Sequence, residues 1–368
     1  MELDHKEKNK IPVTVLTGYL GAGKTTLLNR ILTEQQDKKY AVIVNEYGEL
    51  GIDNDLIVDA DEEIFEMSNG CVCCTIRGDL VRILNKLIQR QRSFDGIIIE
   101  TTGLADPAPV AQTFFVDEDI RNKTRLDAVI AVIDAFHVMK TLDESKEAVN
   151  QIAFADVILL NKVDLVDRGS LIAIKKRIRT INPMVALYEM EKGNISLMKI
   201  LDLGGFDLNR ALTLEPKFLS SHDHDHDHDH DHDHDHDHDH DHDHDHDHDH
   251  DHDHDHDHDH DHDHVQHSHG DGVTSISLME DKPLDGKRFN LWMSMVLQKF
   301  GKDILRTKGI MNFKHDDRCF AFQAVHMMAE GNFIRSWKTK EDRCSRLVFI
   351  GRNLDEKSLR EGFFKCID

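Results

Sequence analysis

Apolar residues gather in short, nearly unbroken runs through the first two hundred positions. The segments 11–17 (IPVTVLT), 40–44 (YAVIV), 96–99 (GIII), 127–133 (DAVIAVI) and 156–160 (DVILL) are too short for helices and apolar almost throughout. Such runs predict strands covered on both faces. Between them the spacing becomes helical, as where Leu27, Leu28, Ile31 and Leu32 share one face. Strands alternating with helices predict an α/β domain with a mostly parallel sheet. It is expected to span residues 11–215, behind a polar tail at 1–10. Later in the chain the pattern changes. Residues 273–279 (VTSISLM), 304–313, 319–328 and 345–350 (SRLVFI) read as strands, with helical patterns from about Leu284 to Phe300 and over 355–365. They predict a small α+β domain at 272–368.

Between the two domains, residues 216–271 carry no such pattern. From His222 to His264 the chain is a strict His/Asp alternation of 43 residues, holding 22 of the 28 histidines. Without an apolar residue this tract cannot bury surface to offset ordering entropy, so a disordered linker is expected. It also redistributes the charge. The formal net charge of −24 over 368 residues falls to −3 once the tract's 21 aspartates are set apart, leaving 48 acidic and 45 basic residues. A nearly neutral folded part gives no basic surface for nucleic acid. No run approaches the roughly 18 apolar residues of a membrane span, and Met1 to Lys10 is charged where a signal core would be apolar. A soluble, cytoplasmic protein is expected; its oligomeric state leaves no mark on the sequence.

The chemistry begins just after the first strand. Gly18-Tyr19-Leu20-Gly21-Ala22-Gly23-Lys24-Thr25 fits G-x-x-x-x-G-K-[ST] and opens a helix. Glycines let the backbone curl so that successive NH groups, including those of Ala22, Gly23 and Thr26, point at phosphates. Lys24 reaches the β and γ phosphates, and Thr25 ligates magnesium. Asn161-Lys162-Val163-Asp164 follows a late strand. An aspartate there accepts from the N1 and N2 donors of guanine, which adenine lacks, so GTP is the expected nucleotide. Glu100, at the end of GIIIE, supplies a carboxylate for magnesium or its water shell.

Cys71, Cys73 and Cys74 lie within four residues, in the segment GCVCC. Three thiolates so placed suit zinc, cobalt or copper(I), and suit magnesium poorly. The segment from Ser68 to Gly78 reads as a turn. Cys319, Cys344 and Cys366 stand singly and read as buried thiols, and His137 and His326 as structural, with His326 on a strand. The methionine pairs 293/295 and 327/328 read as core.

The combination GYLGAGKTT, NEYGELGID, GCVCCTIRGDL, ETTGLADPAP and NKVD resembles the CobW-like family of P-loop GTPases, as do RTKGIMNF, FQAVHMM and SRLVFIGRNLD in the smaller domain. The resemblance implies a GTPase metallochaperone that binds a transition metal at C-x-C-C and delivers it to a client metalloenzyme. Carried onto this chain, the ligands are Cys71, Cys73 and Cys74, with Glu49 or Glu46 as a fourth. The implied cofactors are GTP, Mg2+ and Zn2+ or Co2+, with zinc favoured. Two alternatives stand beside this reading: a cobalt chaperone of cobalamin synthesis, and a metal buffer whose capacity lies in the His222 to His264 tract. That tract offers many imidazoles and weak, multivalent binding.

Overall fold

The computed structural model describes residues 10–34, 37–44, 64–66, 74–89, 94–204, 272–337 and 343–367. Seven strands form the first sheet: β1 (Ile11–Thr17), β2 (Tyr40–Val44), β3 (Ile64–Glu66), β4 (Gly96–Glu100), β5 (Thr124–Asp134), β6 (Val157–Asn161) and β7 (Ala186–Met190). Their order is β3-β2-β4-β1-β5-β6-β7, and every pairing is parallel. With all strands running one way, the chain leaves β1, β4, β5 and β6 at the same edge.

Alternation along the strands sends side chains to two different layers of helix. Leu16, Val42, Ile98 and Val132 meet Leu27, Leu28, Ile31 and Leu32 of α1 (Lys24–Glu34). Val13, Val15, Ile43, Ile97 and Ile99 face the other way, onto Leu80, Leu84 and Leu87 of α2 (Cys74–Gln89) and Val110 and Phe114 of α3 (Ala108–Val116). Burial on both faces is why these strands are apolar at consecutive positions. Helix α2 begins at Cys74, so the expected turn does not extend over 74–78.

The C-terminal sheet is antiparallel: β8 (Val273–Glu280), β9 (Ile304–Met311), β10 (Arg318–Val325), β11 (Met328–Ser336) and β12 (Ser345–Arg352), ordered β11-β10-β9-β12-β8. The expected strand at 319–328 ends early. Chain direction reverses at His326 (φ 50°), and β11 pairs back onto β10. His326 therefore sits on a turn, not on a strand. On one face, Leu347 and Phe349 pack with Phe289, Trp292 and Met293 of the helix Gly286–Phe300 and with Leu359 and Phe363 of the helix Glu356–Phe364. On the other face, Leu305, Val325, Val348 and Ile350 join a core with Ile152 and Phe154 of the helix Lys146–Phe154 and Ile174 and Ile178 of the helix Arg168–Ile181. The two sheets thus share a core, because β12 alternates between its own helices and those of the first domain.

Polar contacts ring that shared core. Arg306 donates to Asp156 at 2.6 Å, Lys308 pairs with the same carboxylate, and Asp156 also accepts from the Val129 amide at 2.8 Å. Burial alone would raise the Asp156 carboxyl, but the Arg306 and Lys308 charges outweigh it and hold the group below the ordinary carboxylate range. Arg352 donates to Asn150 at 2.7 Å, and Ser275 to the Thr180 carbonyl at 3.2 Å.

Candidate nucleotide site

At the carboxyl edge of the parallel sheet, the segment after β1 turns through three glycines in the left-handed region: Gly18 (φ 142°), Gly21 (φ 71°) and Gly23 (φ 106°). Two of them allow close approach. A Cβ at Gly18 would lie 2.1 Å from the Val132 carbonyl oxygen, and one at Gly23 would lie 2.5 Å from Asn161 Nδ2. The loop is thereby pressed onto the ends of β5 and β6. Lys24 Nζ donates to the carbonyls of Gly18 at 2.9 Å and Tyr19 at 3.3 Å, so the ammonium lies across the mouth of the loop.

Three of the sequence-predicted groups converge on this loop. Thr25 Oγ1 donates to Glu100 Oε1 at 3.3 Å. A hydroxyl beside a buried carboxylate is a hard-oxygen pair, the donor chemistry that fits magnesium. Asn161 Nδ2 donates to the Ala22 carbonyl at 2.9 Å, tying the NKVD segment to the phosphate loop. Asn161 Oδ1 is buried with no hydrogen-bond partner among the described residues. A buried acceptor in that state marks a place where a ligand or water completes the set.

Lys162 has φ 60° and sends its ammonium to Asp134 Oδ2 at 2.7 Å, while Asp164 lies exposed in the 3-10 turn that follows. Asp134 closes β5. It also accepts from the Phe136 amide at 2.9 Å and faces His137 Nδ1 at 3.0 Å. A carboxylate only accepts, so that nitrogen carries the proton. Burial works to raise the Asp134 carboxyl, but the hydrogen bonds from Lys162 and His137 outweigh it and hold the group low. Sequence reasoning missed Asp134. The only signal was an acidic residue ending the run DAVIAVID.

Other expectations fall elsewhere. Cys71, Cys73, Glu46, Glu49 and the tract His222 to His264 lie outside the described residues; Cys74 is placed as the first residue of α2. Among the described residues, no group of three His, Cys, Asp or Glu could hold a metal. Cys319, Cys344 and Cys366 are buried thiols, and burial pushes Cys344 and Cys366 up to about 11, which keeps them protonated near neutral pH. His326 touches the Phe154 ring at 6.0 Å between centroids. Among the described residues, no helix is long and apolar enough to cross a membrane.

Known proteins carry the same two-part organisation. The CobW/HypB/UreG nucleotide-binding domain matches residues 12–189, and the C-terminal domain of cobalamin synthesis protein cobW matches residues 273–367. Zinc chaperone YjiA of Escherichia coli is 31% identical over 360 residues, covering 96% of this chain and 98% of that protein. The chain belongs to the CobW family of P-loop GTPases. Another relative, zinc-regulated GTPase metalloprotein activator 1 of Schizosaccharomyces pombe, is 38% identical over 230 residues, 60% of this chain and 56% of that protein. The crystal structure of Zn(II)-bound YjiA GTPase from E. coli aligns with a TM-score of 0.66 at 26% identity, covering 98% of this chain and all of that one. In this CobW-family chain, then, the phosphate loop, Glu100 and the NKVD segment occupy one edge of one sheet.

Proposed function

We propose that this chain is a GTP-hydrolysing metallochaperone that takes zinc at Cys71, Cys73 and Cys74, with Glu49 or Glu46 as fourth ligand, and passes it to a client metalloenzyme in the cytoplasm. The convergence of Lys24, Thr25, Glu100 and Asn161 on one loop carries the nucleotide half of the reading. The full-length likeness to a zinc chaperone supports the cargo half.

The geometry supports a division of labour. Backbone amides of the loop from Gly18 to Thr26 cradle the phosphates, and Lys24 leaves its carbonyl partners for the β and γ oxygens. Thr25 and Glu100 hold magnesium, which when bound neutralises charge spread over the phosphate oxygens. Asp164 accepts from the guanine edge, and Lys162, anchored by Asp134, flanks it. Neither the loop nor the NKVD segment supplies a group that orients the attacking water, so unstimulated turnover is expected to be slow.

Coupling then runs through residues 45–53, which follow β2, and residues 68–78, which run into the first turn of α2. GTP selects the arrangement that closes the thiolate site, and hydrolysis releases the zinc for transfer. The test replaces Cys71, Cys73 and Cys74 by serine together. Zinc-dependent change in GTP hydrolysis is expected to vanish while basal turnover persists; the same zinc response as in the natural chain would sink the coupling. In the same reading the His222 to His264 tract serves as a weak, multivalent metal reservoir. Deleting it should lower zinc stoichiometry and leave GTP turnover alone, and an unchanged stoichiometry would reduce it to a linker.

A further inference from the structure

Beyond Glu100 the chain runs along the phosphate loop before entering α3. A Cβ at Gly103 would lie 2.6 Å from the Leu20 amide nitrogen, so the segment 101–107 meets the phosphate loop directly at Gly103. Thr101 is fixed from beneath: its amide donates to Leu16 and its hydroxyl to Thr17. The rest of the segment is gripped from the side by two successive amides of the helix Lys146–Phe154. Buried Gln151 donates from Nε2 to the carbonyls of Gly103 at 3.0 Å and Ala105 at 3.3 Å. Asn150 Nδ2 donates to Asp106 Oδ2 at 3.0 Å, while Asp106 Oδ1 takes the Ala108 amide at 2.9 Å.

The acceptor end of the Asn150 amide is also engaged. Its Oδ1 accepts from Arg352 at 2.7 Å, at the end of β12 and 202 residues away in sequence. An unbroken line of hydrogen bonds therefore runs from the C-terminal sheet through one amide to the segment that meets the phosphate loop at Gly103. An amide suits that post because it donates at one end and accepts at the other, so both contacts fix its orientation together.

We propose that Arg352 and Asn150 are positioning residues for GTP turnover: the C-terminal domain sets the loop 101–107 through them, and whatever engages that domain acts on hydrolysis by this route. This rests on the GTPase reading above. It adds that the two domains work as one machine, with the second tuning the first.

Single-turnover and steady-state GTP hydrolysis of the full chain, with melting curves alongside, test it. Arg352→Met removes the donor; Asn150→Asp keeps the pair with Arg352 and sets two carboxylates against each other at Asp106. Each is expected to lower kcat about tenfold with KM for GTP within about twofold, since neither touches the phosphate or base contacts. The double variant should be no slower than either single, and Arg352→Lys should restore at least half of kcat. Unchanged kcat in Arg352→Met, provided the natural chain turns over GTP, overturns the relay. Losses that multiply in the double variant overturn it as well. A natural chain that does not turn over GTP would overturn the GTPase reading instead.

Discussion

At the amino edge of the parallel sheet a single carboxylate, Asp156, faces two cations from the C-terminal sheet; towards the nucleotide edge a neutral amide, Asn150, links Arg352 to Asp106. Both contacts join the same two domains, yet their physics differs. The Asp156 cluster is charged and almost wholly desolvated, so its two cations tolerate no loss of their partner, and its net contribution is small beside the cost of breaking it. The Asn150 line holds less energy and touches a loop instead of a strand. A contact that is expensive to break suits a fixed clamp; a cheap one, placed on a loop, suits a signal. The comparison predicts that stability and turnover separate cleanly between the two ends.

The largest effect should come from Asp156→Asn. It leaves Arg306 and Lys308 buried without a counter-charge and is expected to cost about 3–5 kcal/mol in urea unfolding, with kcat of the folded protein unchanged. A fall in kcat comparable to that of the Arg352 variants would erase the distinction. The same group gives an acid signature. Because its folded pKa is depressed, the stability it contributes is complete above about pH 4 and is lost as pH falls through the folded value. Asp156→Asn should flatten that part of the stability profile.

Next is Lys24→Ala, expected to cut kcat/KM for GTP by about 10²–10³ with little change in melting. It marks the floor that no relay variant should reach. Smaller again is Lys308→Met. Burial and the Arg306 charge push Lys308 down to about 8, with Asp156 pulling upward. Between pH 8 and the ordinary lysine value near 10.5 the unfolded chain binds the extra proton, so stability from this residue rises with pH. In Lys308→Met that rise should be absent, and stability at pH 7 should shift by less than about 1 kcal/mol, since Asp156 keeps Arg306. Ser275→Ala, which removes one exposed interdomain hydrogen bond, should change stability by under about 0.5 kcal/mol and turnover not at all.

How much of this could be read beforehand follows from where each signal resides. The strands 11–17 and 40–44 were legible to the residue, because burial on both faces writes continuous apolar runs. Of the edge strands only β8, read at 273–279, was; the other three were not. β3 has three residues, β7 reads ALYEM with its middle partly exposed, and β11 reads MAEGNFIRS with nearly every second residue in solvent. Nothing in those segments distinguishes an edge strand from a loop. The turn at His326 was hidden for another reason: a histidine in the left-handed region carries none of the glycine or asparagine that signals a reversal. In the site, the phosphate loop and NKVD were legible because their chemistry is compressed into a few consecutive residues. Asp134, Asn150, Gln151 and Arg352 were not, since each acts on a partner at least 28 residues distant, and no spacing rule reaches that far.

Lys162 has a further consequence. Its backbone occupies the left-handed region, which costs an ordinary side chain about 1–2 kcal/mol and costs glycine nothing. Lys162→Gly would relieve that strain, and would give up the Asp134 ion pair and add the entropy of a glycine to the unfolded chain. Lost with it would be the ammonium that Asp134 holds in the proposed guanine site. On the guanine-binding reading, the left-handed backbone at 162 is kept for the sake of that ammonium. Residue 162 is then a sentinel for whether a lineage or a laboratory variant still depends on the proposed guanine contact.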